Sequence, residues 1–297
     1  MKSITRHLIT GLGLAAFASS ANGAALIYEP FAQDFSVNSD LNGKTGGSGL
    51  TPNTWSDNGT VTVQAESLSY GNLEHTGGQA RLVTSGGTDA FITTTNVLAT
   101  NGLLNDGSTL WFSMMYRKEG GGGSNEKSGF AFGTDRLDGA FNGTNMVSTN
   151  GGNGLGFIAN NDNLTAARWS GGGNGTTGLG GFDITPGIET LPQTVFIVGR
   201  IQWGAALADE TLTLWLQDTG TLDGSTAPTG TGSVQTLADV SQSAFNTISM
   251  TVRNAGGDQI YDEIRFGATY ADVAPVPEPS AALLGGLGFL ALLRRRR

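Results

Sequence analysis

The chain has 297 residues, carries a formal net charge of −9 and contains 47 glycines but no cysteine. The missing cysteines exclude disulfides, cysteine zinc sites and cysteine catalysis, and the acidic balance argues against a nucleic-acid partner. The glycines follow no Gly-X-Y period, which excludes collagen and indicates many turns.

The first 23 residues have the pattern of a secretion signal. A basic stretch with Lys2 and Arg6 precedes an apolar run over residues 8–18, and small residues follow at Ala21 and Gly23. This order is typical of a Sec-type signal peptide with cleavage after Gly23. We therefore expect export by the Sec machinery and assign residues 1–23 to the signal peptide.

Residues 24–273 contain many short segments in which apolar and polar residues alternate. A period of two over five or more residues indicates a half-buried antiparallel strand. The strongest segments are 110–117, 195–203, 211–217 and 247–253, and weaker ones are 60–66, 79–83, 89–94, 130–133, 155–159 and 261–266. Clusters of Gly, Asn, Asp and Ser separate them, and no segment has a helical period. This pattern predicts an all-β fold with one domain, a single antiparallel β-sandwich over residues 24–273.

Three segments of this body resemble concanavalin A-like jelly rolls of the LamG type. They are Ala25–Phe31, Leu68–Leu73 and Ile260–Gly267. The resemblance implies that the Asp-Glu-Ile-Arg segment, residues 262–265, lies in a late strand that closes the sandwich beside the N-terminal strand. Loops of that family bind sugars, proteins, calcium or nothing identified, so the resemblance does not determine a function.

Catalytic patterns are scarce in the body. His75 is its only histidine, in a turn-like stretch without a nucleophile elbow, which argues against a Ser-His-Asp triad and a multi-histidine zinc site. The Glu-x-Asp-x-x-Glu pattern of jelly-roll glycosidases is also absent. We expect no catalytic residue and no enzyme activity. The alternative is an extracellular polysaccharide-active enzyme of the same fold.

The candidate sugar-binding residues are Trp169 and Arg168. Sugar sites use exposed aromatic rings with polar neighbours, and Trp169 stands beside Arg168 and before three glycines. A tryptophan at a strand end is more often part of the rim of a core. Both interpretations stay open.

The candidate metal ligands are Asp258 and Asp262, four residues apart on one face of the last strand. Alternation puts Asp262 in phase with the apolar residues Ile260, Ile264 and Phe266. Glu263 and Arg265 are then expected on the opposite, solvated face. An inward carboxylate has to be hydrogen-bonded or ion-paired, so a structural role for Asp262 is favoured over calcium binding and over catalysis. No other cofactor is expected.

Residues 274–297 combine a proline motif, an apolar stretch and a basic end. Pro277, Glu278 and Pro279 precede the apolar residues 280–293, and four arginines follow at 294–297. Fourteen residues make a helix of about 21 Å, a short transmembrane helix whose reach arginine snorkelling extends. The arginines stay cytoplasmic by the positive-inside rule, so the body is expected on the far side of the membrane.

This tail resembles the PEP-CTERM sorting signal. The same segment is sometimes labelled an ice-binding protein C-terminal domain, which is no evidence of ice binding. The resemblance implies that exosortase, a membrane transpeptidase of Gram-negative bacteria that make exopolysaccharide, recognises Pro277, Glu278 and Pro279. The helix is then a transient inner-membrane anchor before delivery to the cell surface or extracellular matrix.

Together these features predict an exported, non-catalytic surface or matrix protein, a binding or structural module associated with carbohydrate or another polymer such as exopolysaccharide. Besides the enzyme, a purely structural matrix protein without a discrete ligand stays open.

Overall fold

The fold was analysed in a computed structural model of the chain. It describes residues 23–32, 38–83, 87–119, 127–137, 139–142, 145–148, 151–160, 163–171, 176–178, 181–183, 193–205, 208–217, 222, 224, 226–238, 241–253 and 257–276. The elements in chain order are β1 (Ile27–Glu29), β2 (Ser39–Asp40), β3 (Ser56–Asn58), β4 (Val61–Gln64), β5 (Gln79–Leu82), β6 (Thr88–Thr93), α1 (Val97–Thr100), β7 (Thr109–Glu119), β8 (Lys127–Gly133), β9 (Gly139–Asn142), β10 (Asn145–Ser148), β11 (Gly154–Asn160), β12 (Asn163–Trp169), β13 (Thr176–Thr177), β14 (Phe182–Asp183), β15 (Val195–Gln202), β16 (Glu210–Gln217), β17 (Ser233–Leu237), a 3₁₀ turn (Gln242–Ala244), β18 (Thr247–Arg253), β19 (Asp258–Gly267) and α2 (Tyr270–Val273).

Within the described ranges, the strands form two antiparallel sheets and one separate hairpin. The large sheet has the order β17-β16-β15-β7-β19-β5-β4-β2, with β1 also paired to β19. The small sheet has the order β13-β12-β11-β8-β18-β6-β3, with β14 also paired to β12, and β9 pairs with β10. The protein is therefore all-β, a sandwich of two antiparallel sheets as the sequence predicts.

Apolar side chains of both sheets meet in the main core. Phe112 of the large sheet lies 5.7 Å from Phe130 of the small sheet, and Phe266 lies 5.2 Å from Phe132, between ring centroids. Gly199 on β15 makes room for Phe112, because a Cβ at this position would lie 2.1 Å from the phenyl ring. Burial of each such ring stabilises the fold by roughly 1.5–3 kcal/mol.

The predicted strand positions are confirmed, since each of the ten segments coincides with an observed strand. The pairing expected from the resemblance is also confirmed, because β1 lies beside β19 with Ile27 opposite Phe266. The strands that were not predicted are β2, β3, β9, β10, β12, β13, β14 and β17. In β12 small alanines occupy two positions, and the apolar signal is weak.

The prediction of half-buried strands is wrong for the centre of the large sheet. Residues Leu110–Tyr116 of β7 are buried on both faces. On the outer face they belong to a second apolar cluster, here called the outer cluster. Its members are Leu68, Tyr70, Leu73, Trp111, Met115, Phe196, Val198, Trp215, Leu222, Ile260, Tyr270, Val273 and Ala274. Residues 68–73 and helix α2 thus cover this face, which strand periodicity alone does not reveal.

A β-bulge changes the phase of β19. The register with β7 shifts between Asp262 and Arg265, and Glu263 adopts a positive φ of 54°. As a result Ile264 belongs to the main core while Ile260 belongs to the outer cluster. The predicted common phase of Asp262 with Ile264 is therefore wrong, because the extra residue of a bulge inverts the alternation.

Candidate functional site

The two predicted sugar-binding residues occupy opposite faces of β12. Trp169 is buried, with 1% of its surface exposed, and packs with Ala131, Leu137, Ile158 and Ala167 on the outer face of the small sheet. Arg168 donates from Nη1 to the carbonyl oxygen of Thr236 on β17, at 2.7 Å. Neighbouring residues of a strand point in opposite directions, so the structure does not bring these two side chains into one site.

A small recess, here called the Trp169 recess, opens beside the indole. It leaves about 10 Å³ for the centre of a water-sized molecule, which is room for about one water. Its lining residues are Ala131, Asp135, Arg136, Leu137, Gly152, Asn153, Gly154 and Trp169. The recess therefore fits one small polar group, such as a water or a single hydroxyl, and is too small for a sugar ring.

The indole N–H of Trp169 is buried and has no hydrogen-bond partner among the described residues. Trp203 and Trp215 each have one. Nε1 of Trp203 donates to the carbonyl oxygen of Leu103 at 2.6 Å, and Nε1 of Trp215 donates to that of Gly230 at 2.9 Å. A buried donor without an acceptor costs about 1–3 kcal/mol, so Trp169, one of the residues that line the recess, has an unsatisfied donor.

Hydrogen bonds hold the rim of the Trp169 recess in place. The backbone N–H of Leu137 donates to Oγ of Ser249 on the small sheet, at 2.9 Å. Thr134 and Asn153 exchange two hydrogen bonds, of 2.8 Å and 2.9 Å. No local sequence pattern places the segment around Asp135 beside Trp169, because the two are 34 positions apart in the chain.

The predicted metal ligands Asp258 and Asp262 have separate partners. Nε of Arg81 donates to Oδ2 of Asp258 at 2.6 Å, and the two side chains form an ion pair. Asp262 is fully buried and accepts hydrogen bonds at Oδ2 from Oγ of Ser67 (2.6 Å) and the backbone N–H of Leu68 (2.7 Å). Burial, and then the charge of Glu263, raise the pKa of Asp262 well above its usual range. The hydrogen bonding expected for Asp262 is confirmed.

Glu263 and Arg265 are buried, so their predicted solvated position is wrong. They form an ion pair with each other. Glu263 also accepts from the hydroxyl of Tyr28 (3.1 Å) and from the backbone N–H of Thr76 (2.7 Å), while the guanidinium of Arg265 lies 4.2 Å from the Tyr28 ring centroid. The bulge and the segment before β5 together enclose this network.

An acidic pair connects the edges of the two sheets. Asp40 on β2 and Asp57 on β3 are acidic neighbours, and burial followed by the neighbouring carboxyl group of Asp40 raises the pKa of Asp57 to about 6. Across the described ranges, no three histidine, cysteine or acidic side chains come together as a metal-binding group.

The predicted sorting residues Pro277, Glu278 and Pro279 lie outside the described residues, as do the predicted signal peptide and the apolar stretch 280–293. Among the helices that the structure does describe, none is long and apolar enough to cross a membrane. The described chain ends with Val276, which packs against the outer cluster.

A scan against protein-family models finds no match, and a search of curated proteins finds none either. Solved structures do resemble the fold. A structure of botulinum neurotoxin type C, whose cell entry depends on interaction with two ganglioside molecules, is 12% identical, with a TM-score of 0.44 over 83% of this chain and 48% of that one. The carbohydrate esterase vb_24B_21 from the Shiga toxin-encoding bacteriophage phi24B is 14% identical, with a TM-score of 0.43 over 82% of this chain and 97% of that one.

A third similar structure is the binding domain of botulinum neurotoxin DC in complex with SialylT, at 10% identity and a TM-score of 0.44 over 84% of this chain and 48% of that one. The aligned part of this chain thus spans about half the length of the two neurotoxin structures. With TM-scores below 0.5, these similarities carry no argument about the function of this chain.

Proposed function

We propose that the chain is an exported, non-catalytic binding module of the concanavalin A-like jelly-roll type, which associates with carbohydrate at the cell surface or in the extracellular matrix. The observation that carries the proposal is the unpaired indole N–H of Trp169 beside a recess of one-water size. Such a donor needs an acceptor oxygen, and a sugar hydroxyl that enters the recess supplies one.

The recess favours binding over catalysis. Glycoside hydrolysis uses two carboxyl groups about 5–10 Å apart around a sugar ring, whereas Asp135 is the only carboxylate that lines the recess among the described residues. Asp258 and Asp262 are occupied by Arg81 and by Ser67 and Leu68. We therefore propose no catalytic residue and no cofactor.

The test is the binding of the full chain, purified in detergent, to an array of neutral oligosaccharides. Trp169→Phe keeps an aromatic ring and removes only the N–H side of the indole, so we expect at least about a tenfold loss of affinity. Trp203→Phe, which removes the bonded N–H of a tryptophan that does not line the recess, is the control and should bind normally. Equal binding by wild type and Trp169→Phe, or no binding by wild type, would contradict the proposal.

The proposal also includes delivery by exosortase and transient anchoring in the inner membrane. It is supported by the order of Pro277, Glu278 and Pro279 before an apolar stretch and four arginines. Replacement of these three residues by alanines should leave the protein in the inner membrane, because the anchor remains while the recognition motif is lost. Cell fractionation with detection of the body measures this, and normal surface delivery of the variant would refute the sorting proposal.

A further inference from the structure

A second candidate site, apart from the Trp169 recess, lies on the outer face of the large sheet at Arg200. Its guanidinium carbon lies 5.7 Å from the ring centroid of Trp111 and 5.4 Å from that of Trp215. The two indoles are themselves stacked, with centroids 5.9 Å apart and an angle of 18° between the planes. Arg200 is therefore held against two aromatic rings by cation–π contacts.

Among the residues that the structure describes, Arg200 has no acidic partner. No hydrogen bond or ion pair connects it to any described residue, and its Nε atom is buried without an acceptor. Other arginines of the body are engaged: Arg81 pairs with Asp258, and Arg253 pairs with Asp89 at 2.7 Å. The chain has 25 acidic and 16 basic residues, so acidic side chains are not scarce. Arg200 lacks a carboxylate partner among the described residues because of where it lies in the fold.

The strand register explains why no carboxylate reaches Arg200. Its lateral neighbours are Trp111 on β7 and Thr213 on β16, and its neighbours along β15 on the same face are Val198 and Gln202. The register places four more residues at the diagonal positions, and these are Thr109, Ser113, Thr211 and Trp215. All eight surrounding side chains are uncharged, so no charged group on these three strands neutralises Arg200.

The region around Arg200 is accessible from solvent. Gln202 is exposed, and Arg200, Thr211 and Thr213 are half-buried. Beyond Thr213, Val234 on β17 is the one large apolar residue that is exposed among the described residues, at 40%. The surface near Arg200 is thus open, whereas residues 68–73 and α2 cover the rest of the outer cluster.

We propose that Arg200 binds a carboxylate of an acidic polysaccharide. A guanidinium whose face rests on aromatic rings still presents N–H donors at its edge, in the fork geometry that matches a carboxylate. The hydroxyls of Thr211 and Thr213 and the amide of Gln202 stand beside it and can bond the hydroxyls of a sugar. The site thus combines one cation with neutral hydrogen-bonding groups, which fits a uronic acid better than a densely charged phosphate chain.

The net charge of the protein predicts how binding at Arg200 depends on the salt concentration. A chain of net charge −9 repels a polyanion at long range, and salt screens that repulsion more than it weakens a close, partly buried contact. Binding to a carboxylated polysaccharide should therefore stay constant or increase between low salt and about 0.15 M salt. A site made of many basic residues would show the opposite trend.

The test measures retardation of the full-length protein, in detergent, by gels that contain polygalacturonate or its methyl ester. We expect retardation by the acid and none by the ester, at least a tenfold weaker effect for Arg200→Gln, and a several-fold weaker effect for Arg200→Lys, which keeps the charge without the fork. Arg81→Gln removes the same charge from the same face and is the matched control, which should behave as wild type.

Several outcomes would overturn the proposal. These are equal retardation by the ester, wild-type retardation of a folded Arg200→Gln variant, or no retardation of the wild type. Thermal unfolding shows whether each variant is folded, and Arg200→Lys keeps the test valid if the glutamine variant is not. Arg200-dependent binding to vesicles of anionic lipid without binding to polygalacturonate would indicate a membrane surface instead. Trp169→Phe should not change the retardation, so the Arg200 site and the Trp169 recess succeed or fail independently.

Discussion

Two buried tryptophans present the same N–H group to different surroundings. Trp169 and Trp203 are 1% and 2% exposed, but only Trp203 has an acceptor, the carbonyl oxygen of Leu103. The difference lies in what the neighbouring backbone offers. Trp169 lines the recess, and no described carbonyl oxygen accepts from its N–H.

Because of this difference, replacement by phenylalanine should affect stability differently at the two tryptophans. Trp169→Phe removes an unsatisfied donor, whereas Trp203→Phe removes a bonded donor and leaves the carbonyl of Leu103 unpaired. Both lose the same ring volume, so Trp203→Phe should destabilise the fold by about 1–3 kcal/mol more. Urea unfolding of the two variants measures this difference. Equal destabilisation would show that the N–H of Trp169 has an acceptor.

Asp262 is the second residue whose surroundings determine its role. Its carboxyl group accepts from Ser67, Leu68 and the backbone N–H of Glu263. Asp262→Leu strands these buried donors and should cost about 1–3 kcal/mol or more. Asp262→Asn keeps one oxygen and the shape, and burial already raises the pKa toward the neutral form, so we expect about half that cost. Thermal unfolding of the two variants tests this order, and an equal or larger cost for Asn would contradict it.

At the scale of elements, the edge strands β2 and β3 bring Asp40 and Asp57 together from the two sheets. The pKa of Asp57 is raised from 3.8 to about 6, so the folded protein binds a proton more tightly there than the unfolded chain does. The stability that this proton contributes is complete below about pH 4 and is lost as the pH rises through about 6.

Asp57→Asn should therefore raise the free energy of unfolding at pH 7 and leave it nearly unchanged at pH 3.5. Because Asp57 is partly exposed, solvent screening limits the gain to about 0.5–1 kcal/mol. Asp40→Asn removes the same repulsion and should act in the same direction, while Asp106→Asn, at an exposed loop position, is the control. Denaturant titrations at the two pH values measure the free energy of unfolding of each variant. An equal increase at pH 7 and at pH 3.5 would show that the acidic pair is not the cause.

At the scale of the whole molecule, the segment after β19 belongs to the sandwich. Tyr270, Val273 and Ala274 are buried in the outer cluster. Oγ of Ser113 donates to the carbonyl oxygen of Val273 at 2.5 Å, and the backbone N–H of Glu74 donates to that of Pro275 at 3.0 Å. These contacts connect the end of the described chain to the middle of the large sheet.

We expect residues 24–276 to unfold in one cooperative transition without either terminal segment. Removal of residues 270–276 exposes the ring of Trp111 and leaves Ser113 without its acceptor, so the fragment 24–269 should be less stable by about 3 kcal/mol or more. Urea titration of both fragments gives the difference. Equal stability would mean that α2 does not cover the outer cluster in solution.

The all-β class and the positions of most strands follow from the sequence pattern, and the resemblance to LamG-type jelly rolls implied the pairing of β1 with β19. Strand alternation is a local property, and the residues of β18 (Thr247–Arg253) show it without knowledge of any partner. β12 was missed because its alanines carry a weak apolar signal. The candidate residues Trp169 and Asp262 could also be named from the sequence, but their surroundings could not.

The tertiary structure alone decided which faces are covered and which polar groups have partners. The bulge at Glu263 changes which face of the sheet the following residues of β19 occupy. The apolar–polar alternation of the sequence does not reveal the bulge. Ser67 meets Asp262 across 195 positions of the chain, and Arg200 lies over Trp111, which only the register of β15 with β7 establishes. Such contacts arise from how the strands pair and how the two sheets pack, and no local pattern of residues specifies them.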